Sequence, residues 1–118
     1  MLPPVFETLT AVVAVTTIVG TRIYRHGRAP EHPTRPYVTW YLLNSAPENN
    51  LSDVPETDRE TIHVDCWHPE DRGVVDLATA VRDAIEPIAH CTGIPINARE
   101  SETKLYRIGL QFDWFTSR

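Results

Sequence analysis

Residues 61–85 read TIHVDCWHPEDRGVVDLATAVRDAI, and within them the apolar spacing changes from two to about 3.6. Ile62, Val64 and Cys66 alternate with His63, Asp65 and Trp67, the period of a strand with one covered face. Pro69, Glu70 and Asp71 then suit a helix start, because proline is tolerated early and acids favour the positive end of the helix dipole. Val74, Ala78, Val81, Ile85 and Ile88 carry the helical period onward. Arg82 and Glu86 sit four apart on the other face, and Pro87 is expected to end or kink the helix.

Downstream, Ile94 to Arg99 reads as a strand after Gly93. Tyr106, Ile108, Leu110, Phe112 and Trp114 then alternate with Arg107, Gly109, Gln111 and Asp113, which marks an antiparallel strand with one covered face. Upstream, Tyr37 to Leu43 (YVTWYLL) is dense in aromatic and β-branched residues and can pair with 61–68 as a hairpin. Before it, residues 25–36 (RHGRAPEHPTRP) form a proline-stiffened basic loop. Arg22 to Tyr24 reads as extended. At the N-terminus, Pro3 and Pro4 open a helix whose inward stripe is Phe6, Leu9 and Val13, with Val12 as a further candidate; a short helical piece, Val15 to Val19, is stopped by Gly20.

The expected fold is α+β: an antiparallel four-stranded sheet packed against an N-terminal helix and a central amphipathic helix, as one domain over residues 1–118. A chain of 118 residues has room for one hydrophobic core, and 42% hydrophobic with 23% charged residues is an ordinary globular composition. The net charge of −5 argues against nucleic-acid binding by the chain as a whole. Two cysteines make no disulfide framework, so reduced thiols in a cytosolic setting are favoured over a bridge. Thr8 to Thr21 is uncharged for 14 residues, short of the roughly 20 that span a bilayer, and lacks the basic start of a signal peptide. A core helix is the better reading, and no membrane partner is expected.

No catalytic, metal or cofactor site is expected. Cys66 and His68 share a strand face, but zinc needs two more ligands, and no CxxC or HxxxH spacing supplies them. His63 and Asp65 project away from Cys66, which defeats a Cys–His–Asp nucleophile. A small metal-binding module using Cys66, His68 and His90 stays as the minor alternative. Two charged segments remain. Residues 44–60 (NSAPENNLSDVPETDRE) form a polar stretch of 17 with five acids against one arginine, expected as an oversized loop carrying Glu48, Asp53, Glu56 and Asp58. Opposite in sign are Arg22, Arg25, Arg28 and Arg35. Solvated surface explains either segment alone; together they permit head-to-tail contacts between subunits. The outward face of the 61–68 strand, His63, Asp65 and Trp67, adds further candidate contacts.

In order, VGTRIYRHGRAP, RPYVTWYLL, HVDCWHPEDRGVVDLATAVRDAI and TKLYRIGLQFDWF resemble the tail terminator, or tail completion, proteins of long-tailed bacteriophages. Gly20, Arg22, Ile23, Tyr24, Pro36, Tyr37, Asp65, Trp67, Tyr106 and Arg107 match that family's pattern, mostly as fold-defining positions. The resemblance implies a virion protein forming a hexameric ring that caps the tail tube, ends its polymerisation and joins the tail to the head. Its implied partners are further copies of itself, the tail tube protein and the head–tail connector proteins. DNA would pass through the lumen without specific binding. Another neck, connector or head-completion role is the alternative.

Overall fold

The computed structural model describes residues 2–26, 28–47 and 57–117. The sheet is built on β3 (Thr57–His68), whose Ile62, Val64 and Cys66 side chains are fully buried on the helix-covered face, as the alternation requires. β2 (Tyr37–Pro47) pairs antiparallel along one side of β3, and β5 (Tyr106–Ser117) along the other. β4 (His90–Arg99) borders β5, and β1 (Ile23–Arg25) borders β2, giving the order β1-β2-β3-β5-β4.

The sheet therefore has five strands and is mixed, where the spacing predicts four antiparallel ones. The extra strand is β1, which lies parallel to β2 with Ile23 opposite Val38. Three residues are too few to display an alternating pattern, so the sequence marks them as extended and no more. The hairpin is also longer than expected. Its strands run to Pro47 and resume at Thr57, so Asp58 and Glu60 belong to a strand and not to a loop. Of the acidic candidates, Glu48, Asp53 and Glu56 lie outside the described residues.

α3 (Asp71–Ile85) packs on β3 and β5 and buries Val74, Leu77, Ala78, Val81 and Ile85. Its start is fixed by His68, whose Nδ1 accepts the Glu70 N–H at 3.0 Å and so satisfies one unpaired donor of the first turn. The helix stops at Ile85, before Pro87, which leaves Ile88 exposed and out of the expected stripe.

The N-terminal helix and the short helical piece after it are α1 (Val5–Thr10) and α2 (Val13–Val19), the second starting two residues earlier than expected and taking Val13 out of the first. Val12 between them is extended (φ −106°, ψ 118°), and that break resets the helical phase. Val5, Leu9, Val15 and Val19 become the buried set, while Phe6 and Val13 are 41% and 76% exposed. Gly20, at φ +59°, ends α2 in a conformation that strains any residue with a Cβ.

β3, at 12 residues, spans about 40 Å, whereas the 15 residues of α3 span about 22 Å. The molecule is correspondingly long, 51 × 28 × 24 Å, with the Thr57–Ser117 end of the central strands beyond α3.

Candidate functional site

On the sheet face away from the helices, strand register sets side chains in rows. Tyr37, Trp67 and Arg107 form one, Thr39, Asp65 and Gly109 the next, and Tyr41, His63 and Gln111 the third. Asp65 is the hub. Arg107 donates to it twice, Nε to Oδ1 and Nη2 to Oδ2, each at 2.9 Å. His63 Nε2 donates to Oδ1 at 2.7 Å. Arg107 also reaches Glu100 Oε1 at 3.3 Å, and its guanidinium lies 5.0 Å above the Trp67 ring. The Asp65 hydrogen bonds hold the Arg107 pKa above its ordinary value, so this cation stays charged at any working pH.

Aromatic side chains extend the network. Tyr37 stacks on Trp67 at 5.9 Å between centroids, and the Trp67 indole N–H donates to Thr39 Oγ1 at 3.0 Å. Tyr41 tilts over His63 at 5.1 Å and meets His26 edge-on at 5.7 Å. Burial at this stack pushes the Tyr37 phenol up from its ordinary pKa. Gly109 makes the arrangement possible, since a Cβ there would lie 2.7 Å from His63 Cε1 and 2.9 Å from Asp65 Oδ1.

His63 and Asp65 were expected to face outward as partner contacts. They do occupy that face, yet both are under 5% exposed, covered by the chain's own Tyr41, Arg107 and Trp67. Alternation finds the face of a side chain; it cannot see that charged partners on the next strand close over it. The signal that could have found the pair is Arg107, which has the same parity in β5 as Asp65 has in β3. Of the three candidates on this strand, the half-buried Trp67 alone keeps part of its surface available.

Chemically the network is a fastener. Asp65 already accepts three N–H groups, and no thiol shares its face. Cys66 points into the core, where burial pushes its thiol pKa far up and makes it a poor nucleophile. Among the described residues no three His, Cys, Asp or Glu side chains converge as a metal site. The alternative metal ligands are dispersed: His68 pairs with Tyr106 at one end of β5 and His90 with Asp113, roughly 24 Å along it.

The arginines divide into structural and surface roles. Arg22 is committed to the fold, with Nε donating to the Pro36 carbonyl at 2.9 Å and Nη2 to the Ile18 carbonyl at 3.3 Å, at the negative end of α2. Arg25 is exposed and sits 6.0 Å over Trp40; Arg28 and Arg35 are also exposed. The acidic part of the hairpin is less open than expected. Asp58 is half-buried, and Glu60 is fully buried with Oε1 accepting from Thr116 Oγ1 at 3.4 Å. Sequence reading missed a second surface, where Val75 and Ile94 stand 46% and 49% exposed beside a groove between α3 and β4. Among the described residues no helix is long and apolar enough to cross a membrane.

No curated protein matches this chain significantly. Among solved structures, a chain from the virion of a native gene transfer agent particle is similar at a TM-score of 0.65 and 18% identity, covering 97% of this chain and 92% of that one. The gp17 protein of bacteriophage SPP1 is similar at 0.58 and 13% identity, covering 97% and 86%. At those identities the likeness is one of fold. The family model described as tail completion protein gp17 matches residues 3–117, nearly the whole length, and the chain belongs to that family of bacteriophage tail proteins.

Proposed function

We propose that this chain is the subunit of a closed ring, hexameric as in the reading of its family, that seats on the end of the tail tube. There it ends tube polymerisation and offers its other face to the head–tail connector, with DNA passing through the lumen unread. The protein works by contact alone, without catalysis, metal or cofactor, assembling in the host cytoplasm and remaining in the virion. Family membership over residues 3–117 carries the proposal. The geometry supports it: Asp65, Arg107, His63 and Arg22 are consumed in rigidifying the subunit, while Arg25, Arg28, Arg35 and part of Trp67 stay open to neighbours. Light scattering on the purified protein, alone and with tail tubes, tests the reading. A discrete multiple of 13.4 kDa that binds tube ends is the expected result. A monomer that never engages them contradicts it.

The likeness to a chain of a gene transfer agent virion is also compatible with a neck or connector position. Labelling this subunit in intact particles separates the two, since a terminator sits at the tube end and a connector on the head side of it.

A further inference from the structure

Resting on the ring reading, we infer that the arginine face of residues 25–36 meets the phosphate backbone of the duplex DNA that threads the ring. Arg25, Arg28 and Arg35 are exposed, and none makes an ion pair among the described residues. Glu31 is the only acid of that segment, against three arginines and the imidazoles of His26 and His32. Lys104 is the chain's one lysine, so its cations are almost all guanidinium, the group whose planar fork matches phosphate oxygens.

The loop is fastened to its own chain, and its arginines are what it leaves to solvent. At its start the His26 N–H donates to the Trp40 carbonyl at 2.6 Å, and the Arg28 N–H closes a turn on the Arg25 carbonyl at 2.8 Å. At its end Arg22 Nε donates to the Pro36 carbonyl at 2.9 Å. Between them His32, Pro33 and Arg35 border a cavity of about 140 Å3 shared with Thr103 and Leu105, and Leu105 is buried. Pro30, Pro33 and Pro36 remove further backbone freedom. A cation set held in this way loses little entropy when an anion arrives. Arg25 lies opposite Trp40, and Arg35 stands two residues before Tyr37, so the pair flanks about 10 Å of β2. Three steps along one DNA strand, at roughly 3.4 Å each, cover the same length.

Composition selects phosphate over a protein surface. A stable protein interface centres on a desolvated apolar or aromatic anchor, and residues 25–36 hold no Leu, Ile, Val, Met, Phe, Tyr or Trp. Phosphate contacts need no such anchor. Arginine, imidazole and hydroxyl donors suffice, and Thr34 supplies the last of these. The net charge of −5 over the whole chain opposes DNA, so attraction is confined to this segment and the hold stays weak. Backbone contacts carry no base information, so the DNA is steadied in the lumen without being read or stopped.

Fluorescence anisotropy of two short DNA duplexes of unrelated sequence, titrated with the protein over a range of salt, tests the contact, with circular dichroism checking the fold. Three phosphate contacts per subunit predict equal affinity for both duplexes and a loss of at least about fortyfold between roughly 50 and 200 mM salt. Arg25→Gln, Arg28→Gln and Arg35→Gln should each lower the salt slope by about one, and the three combined should remove most of it. Glu31→Gln should tighten binding to both duplexes alike. Should the triple variant unfold, Arg28→Gln with Arg35→Gln gives the same reading at smaller amplitude and spares the Arg25 contact with Trp40. A parent that binds neither duplex at about 50 mM salt overturns the contact. So does a folded triple variant that binds DNA as tightly as the parent; loss of self-association in that variant would then assign the arginines to a protein neighbour. Failure of the ring reading shows separately, as a parent that stays monomeric by light scattering with and without tail tubes.

Discussion

Arg107 grips Asp65 with two parallel hydrogen bonds of 2.9 Å, joining the two central strands of the sheet on the face that no helix covers. A bidentate pair fixes both position and angle, which a single contact does not. Trp67, Tyr37 and His63 take their places around it. The same fastener explains why so many residues that carry the family resemblance are not surface contacts.

Asp65→Asn should destabilise the protein by about 2–4 kcal/mol in urea unfolding, because Arg107 and His63 lose the carboxylate that satisfies them. Arg107→Lys should cost about 1–2 kcal/mol, since an ammonium cannot reproduce the fork. The double variant Asp65→Asn with Arg107→Gln should cost less than the sum of its single changes. Strict additivity would mean that the two residues are not coupled.

Gly109→Ala should cost about 1–3 kcal/mol, because its new methyl would occupy the space of His63 Cε1 and Asp65 Oδ1. A further test is His63→Ala combined with Gly109→Ala, which should recover part of the loss. An unchanged melting temperature for Gly109→Ala would show that the seat is looser than the geometry implies.

Cys66 supplies the pH dependence. Its folded pKa is raised by burial, so the stability it contributes is complete below the unfolded thiol value of about 8.5 and declines above it, as the unfolded chain ionises and the folded chain does not. Stability should fall by about 1.4 kcal/mol per pH unit above roughly pH 9, with Tyr37 adding to the slope beyond about pH 10. Denaturant titrations from pH 7 to 10 measure this, and Cys66→Ala should flatten the decline between about pH 9 and 10. An equal slope without the thiol would assign the effect elsewhere.

Glu60 gives a prediction of opposite sign. Its side chain is fully buried, and among the described residues Oε2 has no hydrogen-bond partner. Removing the charge in Glu60→Gln should leave stability unchanged or raise it by about 1 kcal/mol. A clear loss in thermal unfolding would mean that the carboxylate is needed where it stands.

Much of the fold was legible in the sequence wherever periodicity ran long enough. β3, α3 and β5 follow directly from the alternation at 62–66, the helical spacing from Val74 and the alternation at 106–114. What stayed hidden was set by pairing. β1 is too short to show a period, and the hairpin strands continue into polar residues because β2, β3 and β5 pair there whatever their side chains. Of the candidate contacts, Arg25, Arg28 and Arg35 are exposed and Trp67 is half-buried, while His63 and Asp65 are buried and Arg22 is half-buried and bonded within the fold. Each is drawn inward by a partner distant in sequence, Arg107 for Asp65 and the Pro36 carbonyl for Arg22. The groove beside Val75 and Ile94 arises only when α3 is laid next to β4, and no spacing rule records that.

The central claim is that these subunits close on one another at the end of a tube. Its most direct measurement is the mass of the purified protein by light scattering, followed by electron microscopy of that protein mixed with tail tubes. The account predicts a single discrete oligomer, a whole-number multiple of 13.4 kDa, found only at tube ends and halting further growth. A protein of 13.4 kDa at every concentration, with tube ends left bare and still extending, would contradict it.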